Sequence, residues 1–324
     1  MIVAALVILV GFAFVYLGSR WMVDGAAKLS ILLGIPPFVV GITIVAFGSS
    51  APEAALAITA VATESTEIAL GGIIGSNIAN IGLVLGISAF FCPFIIREGL
   101  LTRELGFMLL SLILITLMAI LGGYTWVGGI LLLALMAVFM GQLLYTLMKK
   151  HPVSEEVQKE EVEKIEEKII TGGRLRQILF LIIGLVILIM GAQAIIWGAV
   201  EIAQGLGIDQ VVIGLTTIAL GTSLPELSIS ITAARRCESA FVVSNILGSN
   251  IFNSLFVLGL ASLIGPIFVP SELLFLEFPV MLLLGGLLVV MIVCRGSIRR
   301  LEGSIFLLVY ATYIVLLASR TGLF

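Results

Sequence analysis

The sequence predicts an all-α integral membrane protein with ten transmembrane helices, arranged as two inverted five-helix repeats. Three observations predict this fold class. Hydrophobic residues make up 60% of the chain and charged residues 11%, whereas a soluble domain carries about 25% charged residues. Apolar segments long enough to cross a bilayer follow one another along the whole chain. The first half of the sequence also recurs in the second half at a constant offset.

The apolar segments define the predicted helices in chain order. A spanning helix needs about 20 apolar residues. The predicted segments are residues 2–18, 22–62, 68–91, 104–121, 124–147, 174–192, 195–234, 240–265, 271–294 and 299–319. The second and seventh segments are too long for one straight span and contain glycine and proline, so we expect both to unwind partway across the membrane.

The two halves match without an insertion from residue 18 to residue 93. Glu53 recurs as Glu226 and Pro93 as Pro266, each 173 positions later. A register kept over that length indicates a duplicated unit. Because each half holds five spans, an odd number, the two halves must cross the membrane in opposite directions. Such inverted repeats are typical of secondary transporters, which bind their substrates near the midplane at discontinuous helices.

Basic residues predict the orientation of the chain. Fifteen of the 17 Lys and Arg residues fall in alternate loops on one side of the predicted topology, Lys28 lies near that side, and only Arg320 lies opposite. The basic side should be cytoplasmic, which places both termini outside. We therefore predict a first repeat at residues 1–148, a cytoplasmic linker helix at 149–173 and a second repeat at 174–324.

Cysteine and histidine give little indication of a metal site. Cys92, Cys237 and Cys294 are odd in number and widely spaced, so we expect neither a disulfide framework nor a CxxC metal site. The only histidine, His151, lies in the linker, and we expect it to be a loop residue. A regulatory cation site on the linker glutamates would lack the residue spacing of a calcium-binding loop.

Two matching motifs place carboxylates inside long apolar segments. Residues 48–53 read Gly-Ser-Ser-Ala-Pro-Glu, and residues 221–226 read Gly-Thr-Ser-Leu-Pro-Glu. An ionisable side chain at membrane depth is costly and indicates function. Glu53 and Glu226 hold the same repeat position, so we expect them to form one site. The polar residues around them in the two repeats are Ser49, Ser50, Ser76, Asn77, Asn80, Thr222, Ser223, Ser249, Asn250 and Asn253.

These side chains offer oxygen and amide groups, which suit hard cations such as Na+ and Ca2+ and not zinc or copper. Carbonyls freed in the broken helices 2 and 7 would add ligands. Two buried carboxylates carry a charge of −2, which one Ca2+, two Na+ or two protons would neutralise. An empty charged site is strongly disfavoured, so we expect ion exchange. A single serine could instead bond its own backbone or a neighbouring helix.

Two other classes of protein fit the sequence less well. A cation channel usually needs a ring of subunits, and the inverted repeat within one chain argues against it. An intramembrane enzyme would need a Ser/His, Ser/Lys or paired-aspartate arrangement, which is missing from the apolar segments. We expect a protein that is not an enzyme and needs no cofactor.

The two glutamate motifs, each followed by Gly-Ser-Asn-Ile-x-Asn, resemble the two alpha-repeats of the sodium/calcium exchanger family within the cation/calcium antiporter superfamily. The chain resembles the compact prokaryotic-type members. The resemblance implies electrogenic antiport across the plasma membrane by alternating access, typically of three Na+ for one Ca2+. It implies that Glu53 and Glu226 bind Ca2+ with the carbonyls of Ser49 and Thr222. The implied sodium ligands are the side chains of Ser50, Ser76, Ser223 and Ser249 and the carbonyls of Ala46 and Ala219, with Asn80 and Asn253 completing the centre.

One position distinguishes the subfamilies. Potassium-dependent relatives, and some prokaryotic members, carry an aspartate where this chain has Asn253, so the resemblance implies a K+-independent exchanger. Proton/calcium exchangers usually show a Gly-Asn-x-x-Glu pattern, which is absent here. The two carboxylates could nevertheless titrate, so H+/Ca2+ antiport through the same glutamates is the alternative. The expected partners are Ca2+, Na+ and the lipid bilayer, with no nucleic acid, and we expect the chain to function as a monomer.

Overall fold

The computed structural model of the chain describes residues 1–96, 101–148, 173–206 and 221–320. These residues form eleven helices and two short strands. The helices are α1 (Ile2–Leu33), α2 (Pro37–Ser49), α3 (Ala51–Ala62), α4 (Thr66–Phe91), α5 (Thr102–Ile120), α6 (Trp126–Met148), α7 (Arg174–Gly205), α8 (Leu224–Ala234), α9 (Ser239–Ile264), α10 (Ser271–Arg295) and α11 (Arg300–Arg320). The strands are β1 (Phe94–Ile95) and β2 (Ser297–Ile298).

The described helices include eight that are long and apolar enough to cross a membrane, and a ninth if α2 and α3 form one bent span. The chain is therefore a mostly helical integral membrane protein. The predicted seventh segment runs through residues 207–220, which lie outside the described residues, so the count of ten spans stays a prediction. The predicted linker helix, with His151, also lies outside them, apart from residue 173.

The first helix is longer than predicted. We expected one segment to end at residue 18 and another to begin at residue 22, but α1 continues to Leu33, where Gly34 adopts a left-handed conformation with φ +67°. The second half repeats this difference, since α7 runs from Arg174 to Gly205 without a break. The charged residues between positions 20 and 28 are compatible with a helix when they lie on one of its faces, whereas a left-handed glycine ends it.

Helices α1 and α7 pack against each other in antiparallel orientation with their backbones in contact. A Cβ atom on Gly18 would lie 2.5 Å from the backbone nitrogen of Leu188 and 2.7 Å from the carbonyl oxygen of Gly184. Small residues allow this close approach between membrane helices. They recur every seven positions along both helices, at Gly11, Gly18 and Gly25 on α1 and at Gly184, Gly191 and Gly198 on α7.

Helices α4 and α9 lie at the centre of the described structure. Their most apolar windows are 78% and 83% buried, compared with 28% for both α1 and α7. Each central helix contains a π-helical segment, Asn80–Leu85 in α4 and Phe252–Val257 in α9. A third π-helical segment, Gly41–Val45, lies in α2. These wider turns occur mostly as single-turn insertions and frequently at functional sites.

Short backbone pairings connect the ends of the two halves. Strand β1 pairs with β2 in antiparallel orientation, with Phe94 opposite Ile298. Tyr124 forms a second antiparallel bridge with Ile267, and Ile267 holds the repeat position of Phe94. The repeat visible in the sequence is therefore also present in the backbone contacts of the fold.

The expectation that the cysteines form no disulfide is wrong for one pair. Cys92 and Cys237 form a disulfide with a Cα–Cα distance of 5.5 Å. Their wide spacing in the sequence was uninformative, because the repeat fold brings the end of α4 beside the turn that follows α8. Cys294 is free and exposed.

The α1–α7 contact predicts opposite effects for the same substitution at two glycines. Gly18→Ala should destabilise the protein by about 1–3 kcal/mol, because the added methyl group meets the α7 backbone. Gly71→Ala is the control, since nothing lies within 4 Å of its added Cβ, and it should stabilise α4 by up to about 1 kcal/mol through helix propensity. Thermal unfolding in detergent measures both effects, and equal melting temperatures for the two variants would contradict the close contact.

The disulfide predicts a count of reactive thiols. Oxidised, unfolded protein should react with a maleimide reagent once, at Cys294, and three times after reduction. Mass spectrometry of the intact chain measures the number of labels. Three labels before reduction would show that Cys92 and Cys237 are not joined.

Candidate ion-binding site

The start of α3, after its break from α2, and the start of α8 position the two membrane glutamates. Ser50 joins α2 to α3 at a bend of 42°, and Glu53 lies in the first turn of α3. Ser223 precedes α8 with nearly the same backbone conformation, and Glu226 lies in the first turn of α8. A proline occupies the second helical position in both cases, where its missing N–H costs no hydrogen bond. Both carboxylates therefore lie at helix N-termini, which favour negative charge.

The two carboxylates are buried and lie near each other. Glu53 is 3% exposed and Glu226 is fully buried, and their charges are close enough to interact repulsively. Among the described residues, neither carboxylate has an Arg or Lys side chain within ion-pair distance. The site therefore concentrates negative charge without a cationic side chain to balance it.

Hydroxyl groups connect the two halves at this point. Ser50 Oγ donates to Glu226 Oε1 at 3.1 Å. Ser76 Oγ and Thr222 Oγ1 lie 3.2 Å apart in a second hydrogen bond between the halves, and both hydroxyls lie beside the Glu53 carboxylate. Each glutamate thus lies beside hydroxyl groups from the opposite repeat. Ser49 also lies beside the Glu226 carboxylate, and its hydroxyl donates within its own helix to the Ala46 carbonyl at 3.3 Å.

Buried polar atoms without a hydrogen-bond partner occur in both glutamate motifs and in the Gly-Ser-Asn motifs that follow them. Both Glu53 oxygens, Glu226 Oε2 and the amide groups of Asn80 and Asn253 have no partner among the described residues. The hydroxyls of Ser223 and Ser249 also have no hydrogen-bond partner among the described residues. Leaving such a group unsatisfied costs about 1–3 kcal/mol, so a set of them needs an explanation. Carboxylate, hydroxyl and amide oxygens are the ligands that Na+ and Ca2+ prefer.

The π-helical segments position the two central asparagines, a feature that the sequence analysis missed. Asn80 is the first residue of one segment and Asn253 the second residue of the other. By contrast, Asn77 and Asn250 already use their amide nitrogens, as donors to Ser254 Oγ and to a backbone carbonyl. Asn77 and Asn250, which the sequence analysis grouped with the polar residues of the site, therefore use part of their hydrogen-bonding capacity within the fold.

The structure describes eleven of the twelve predicted ligand residues, and all eleven are buried. Ala219 lies outside the described residues. That these side chains and carbonyls bind ions stays a prediction.

The sequence profile of the sodium/calcium exchanger protein family matches residues 3–145 and again residues 176–318. The chain belongs to the sodium/calcium exchanger family. The sodium/calcium exchanger MaX1 of Methanosarcina acetivorans is 30% identical over 96% of this chain and 97% of its own length. The inner membrane protein YrbG of Escherichia coli K12 is 34% identical over 82% of this chain and 81% of its own length.

A solved structure of the sodium-calcium exchanger NCX_Mj superposes on this fold with a TM-score of 0.82 and 32% sequence identity, over 98% of this chain and 99% of the other. Family membership and this structural likeness identify the chain as a cation/calcium antiporter. The family assignment that the two glutamate motifs suggested is therefore confirmed.

The unpaired asparagines predict a trade-off between stability and ion binding. Asn80→Leu should raise the melting temperature in buffer free of Na+ and Ca2+, because it removes two unsatisfied buried atoms of about 1–3 kcal/mol each, and should reduce the stabilisation by added Ca2+. Asn77→Leu is the matched control and should destabilise, since it leaves Ser254 without its donor. Thermal unfolding with and without Ca2+ measures both effects. An unchanged response of Asn80→Leu to Ca2+ would contradict a role for this amide.

Proposed function

We propose that the chain is a secondary active antiporter that exchanges Na+ for Ca2+ by alternating access. The observation that supports this proposal is the pair of buried carboxylates, one from each half, with no cationic side chain beside them in the described part of the chain. A membrane protein that only needed a folded core would place apolar residues at these positions.

The negative charge of the site explains why the protein would exchange one cation for another and would not transport a single cation in one direction. Two ionised carboxylates in a low-dielectric interior repel each other and lose their hydration. One Ca2+ or two Na+ would restore neutrality. The loaded protein can then reorient at low cost, whereas the empty protein would carry the uncompensated charge across the membrane. Each half-cycle therefore requires a bound cation.

The proposed ligands follow the buried groups around the two glutamates. Glu53 and Glu226 bind Ca2+ at the centre, with the carbonyls of Ser49 and Thr222. The sodium sites use the hydroxyls of Ser50, Ser76, Ser223 and Ser249 and the carbonyls of Ala46 and Ala219, with Asn80 and Asn253 at the centre.

The neutral donors support Na+ over H+ as the coupling ion. A proton needs only a carboxylate oxygen, whereas Na+ must replace its hydration shell with several oxygen ligands. The buried hydroxyls of Ser223 and Ser249 and the amides of Asn80 and Asn253 lack partners among the described residues, so they are available to coordinate Na+ as well as Ca2+, whereas the return of protons would involve the two carboxylates alone. The asparagine at position 253 supports K+-independent transport, because potassium-dependent relatives carry an aspartate there.

The proposed exchange has a defined ion stoichiometry, and the chain is proposed to have a defined orientation in the membrane. Exchange of three Na+ for one Ca2+ moves one net charge, worth about 2.3 kcal/mol per 100 mV across the full field. The excess of basic residues on one side supports a plasma-membrane protein with both termini outside and a cytoplasmic linker at residues 149–173. The repeats at 1–148 and 174–324 together hold the whole site, so one chain is sufficient for transport and no enzymatic step is involved.

Calcium-45 uptake into proteoliposomes tests the coupling ion. Vesicles are preloaded with NaCl, or with KCl or choline chloride as controls, and a protonophore is present throughout. Uptake that requires an outward Na+ gradient and survives the protonophore is the expected result. Uptake that ignores Na+ and follows an imposed pH gradient would overturn sodium coupling and favour H+/Ca2+ antiport through the same glutamates.

Removing either central carboxylate should abolish this uptake. Glu53→Gln and Glu226→Gln keep the shape of the side chain and remove one negative charge, so Ca2+ would no longer be neutralised. We expect at least a hundredfold loss of calcium flux, corresponding to about 2.7 kcal/mol of lost interaction or more. Glu67→Gln is the control, because Glu67 is exposed in the first turn of α4, and it should retain wild-type flux. Wild-type flux in either site variant would refute the assignment.

A further inference from the structure

A cavity of about 560 Å³ opens between α1 and α8, and neither of the two glutamates lines it. Ser228 Oγ donates to the Val15 carbonyl at 3.3 Å, and the hydroxyls of Ser19 and Thr232 lie 2.9 Å apart. These bonds hold the two helices together beside the cavity. Nothing in the proposed exchange reaction uses this space.

The cavity is strongly basic at one end. Arg20, Lys28, Arg235 and Arg236 line it together with a single acid, Asp24. Arg236 Nη1 lies 2.6 Å from Asp24 Oδ1, so the positive charge of Arg236 and the negative charge of Asp24 cancel. The other three cationic side chains have no carboxylate within ion-pair distance among the residues that the structure describes. The cavity therefore carries three positive charges in excess.

The opposite end of the cavity is apolar and open to the outside of the protein. Phe12, Val15 and Ile231 line it, and Phe12 is 55% exposed. The helix α1 rises about 24 Å over the 16 residue steps from Phe12 to Lys28. Along that length the lining changes from hydrocarbon to cationic, which matches the change from acyl chain to head group in one leaflet of a bilayer.

The charges do not belong to the repeated ion-exchange machinery. A path for Na+ or Ca2+ would not be lined by three uncompensated cations. The repeat also shows that the fold does not need them, since the matching positions in the other half carry no corresponding cluster. The counterparts of Arg20, Lys28, Arg235 and Arg236 are Gln193, Glu201, Ala62 and Thr63.

We propose that this cavity binds an anionic phospholipid. Arg20, Lys28 and Arg235 hold the phosphate diester and its head group, and an acyl chain lies along Phe12 and Ile231. Basic pockets between membrane helices are known to bind anionic head groups. In the orientation proposed above, the lipid comes from the cytoplasmic leaflet. Because the cavity is formed by α1 and α8 together, a bound lipid stabilises the contact between these helices.

Lipid retention tests the proposal without measuring transport, so its result is independent of the coupling ion. Protein in a neutral detergent is given equal amounts of phosphatidylglycerol and phosphatidylcholine, and bound lipid is measured by native mass spectrometry over a titration. Wild-type protein should retain phosphatidylglycerol preferentially. One basic residue contributes about a fivefold change in affinity, so Arg20→Gln/Lys28→Gln/Arg235→Gln should bind it about a hundredfold more weakly.

Arg300→Gln is the matched control, because Arg300 is exposed at the start of α11 and does not line the cavity. It should retain phosphatidylglycerol as the wild type does. Equal retention by the triple variant and the wild type would overturn the proposal. If the triple variant does not fold, Arg235→Gln alone should show the fivefold loss, and its absence would also overturn the proposal.

A second arm distinguishes the lipid from a free phosphate. Inorganic phosphate and glycerol 3-phosphate are added as competitors at millimolar concentration. Neither should displace phosphatidylglycerol, because they lack the acyl chain that contacts the apolar end. Displacement by either competitor would show a site for soluble phosphate and refute the lipid assignment.

Discussion

The carboxylates of Glu53 and Glu226 impose one electrostatic constraint on the whole molecule. They are buried near each other, and no cationic side chain balances them in the described part of the chain. Two ionised carboxylates so placed are stable only when something else supplies positive charge. The positive ends of α3 and α8 supply part of it. In the function proposed above, a bound cation supplies the rest, and this need for a counter-charge is the physical basis of exchange.

The two halves of the chain share polar contacts at the glutamates. Ser50 from the first half bonds to Glu226 of the second, and Ser76 bonds to Thr222. A rigid movement of one half relative to the other would alter these contacts at both glutamates together. Ser50 and Ser223, which directly precede α3 and α8, are buried, so the non-helical backbone at these residues is not exposed to lipid.

Sequence reasoning succeeded where the repeat itself carries the information. The register from Glu53 to Glu226 pointed to two glutamates that the structure buries near each other, whereas their role as ion ligands stays a prediction. It failed where conformation depends on packing. The continuation of α1 to Leu33 depends on which face its charged residues occupy, and the Cys92–Cys237 bond depends on which ends meet in space. The π-helical turns that carry Asn80 and Asn253 have no composition that distinguishes them from ordinary helix.

Positions at which the two halves carry different residues show which side chains the fold does not require. Glu64 and Cys237 hold matching positions and both adopt positive φ, 60° and 56°, although one side chain is a carboxylate and the other a thiol. The backbone turn is thus conserved between the halves while the side chain is free to differ. The same reasoning applies to Arg20 and its counterpart Gln193 beside the α1–α8 cavity. The glutamates themselves match across the repeat, whereas the basic residues that line the cavity have no basic counterpart in the other half.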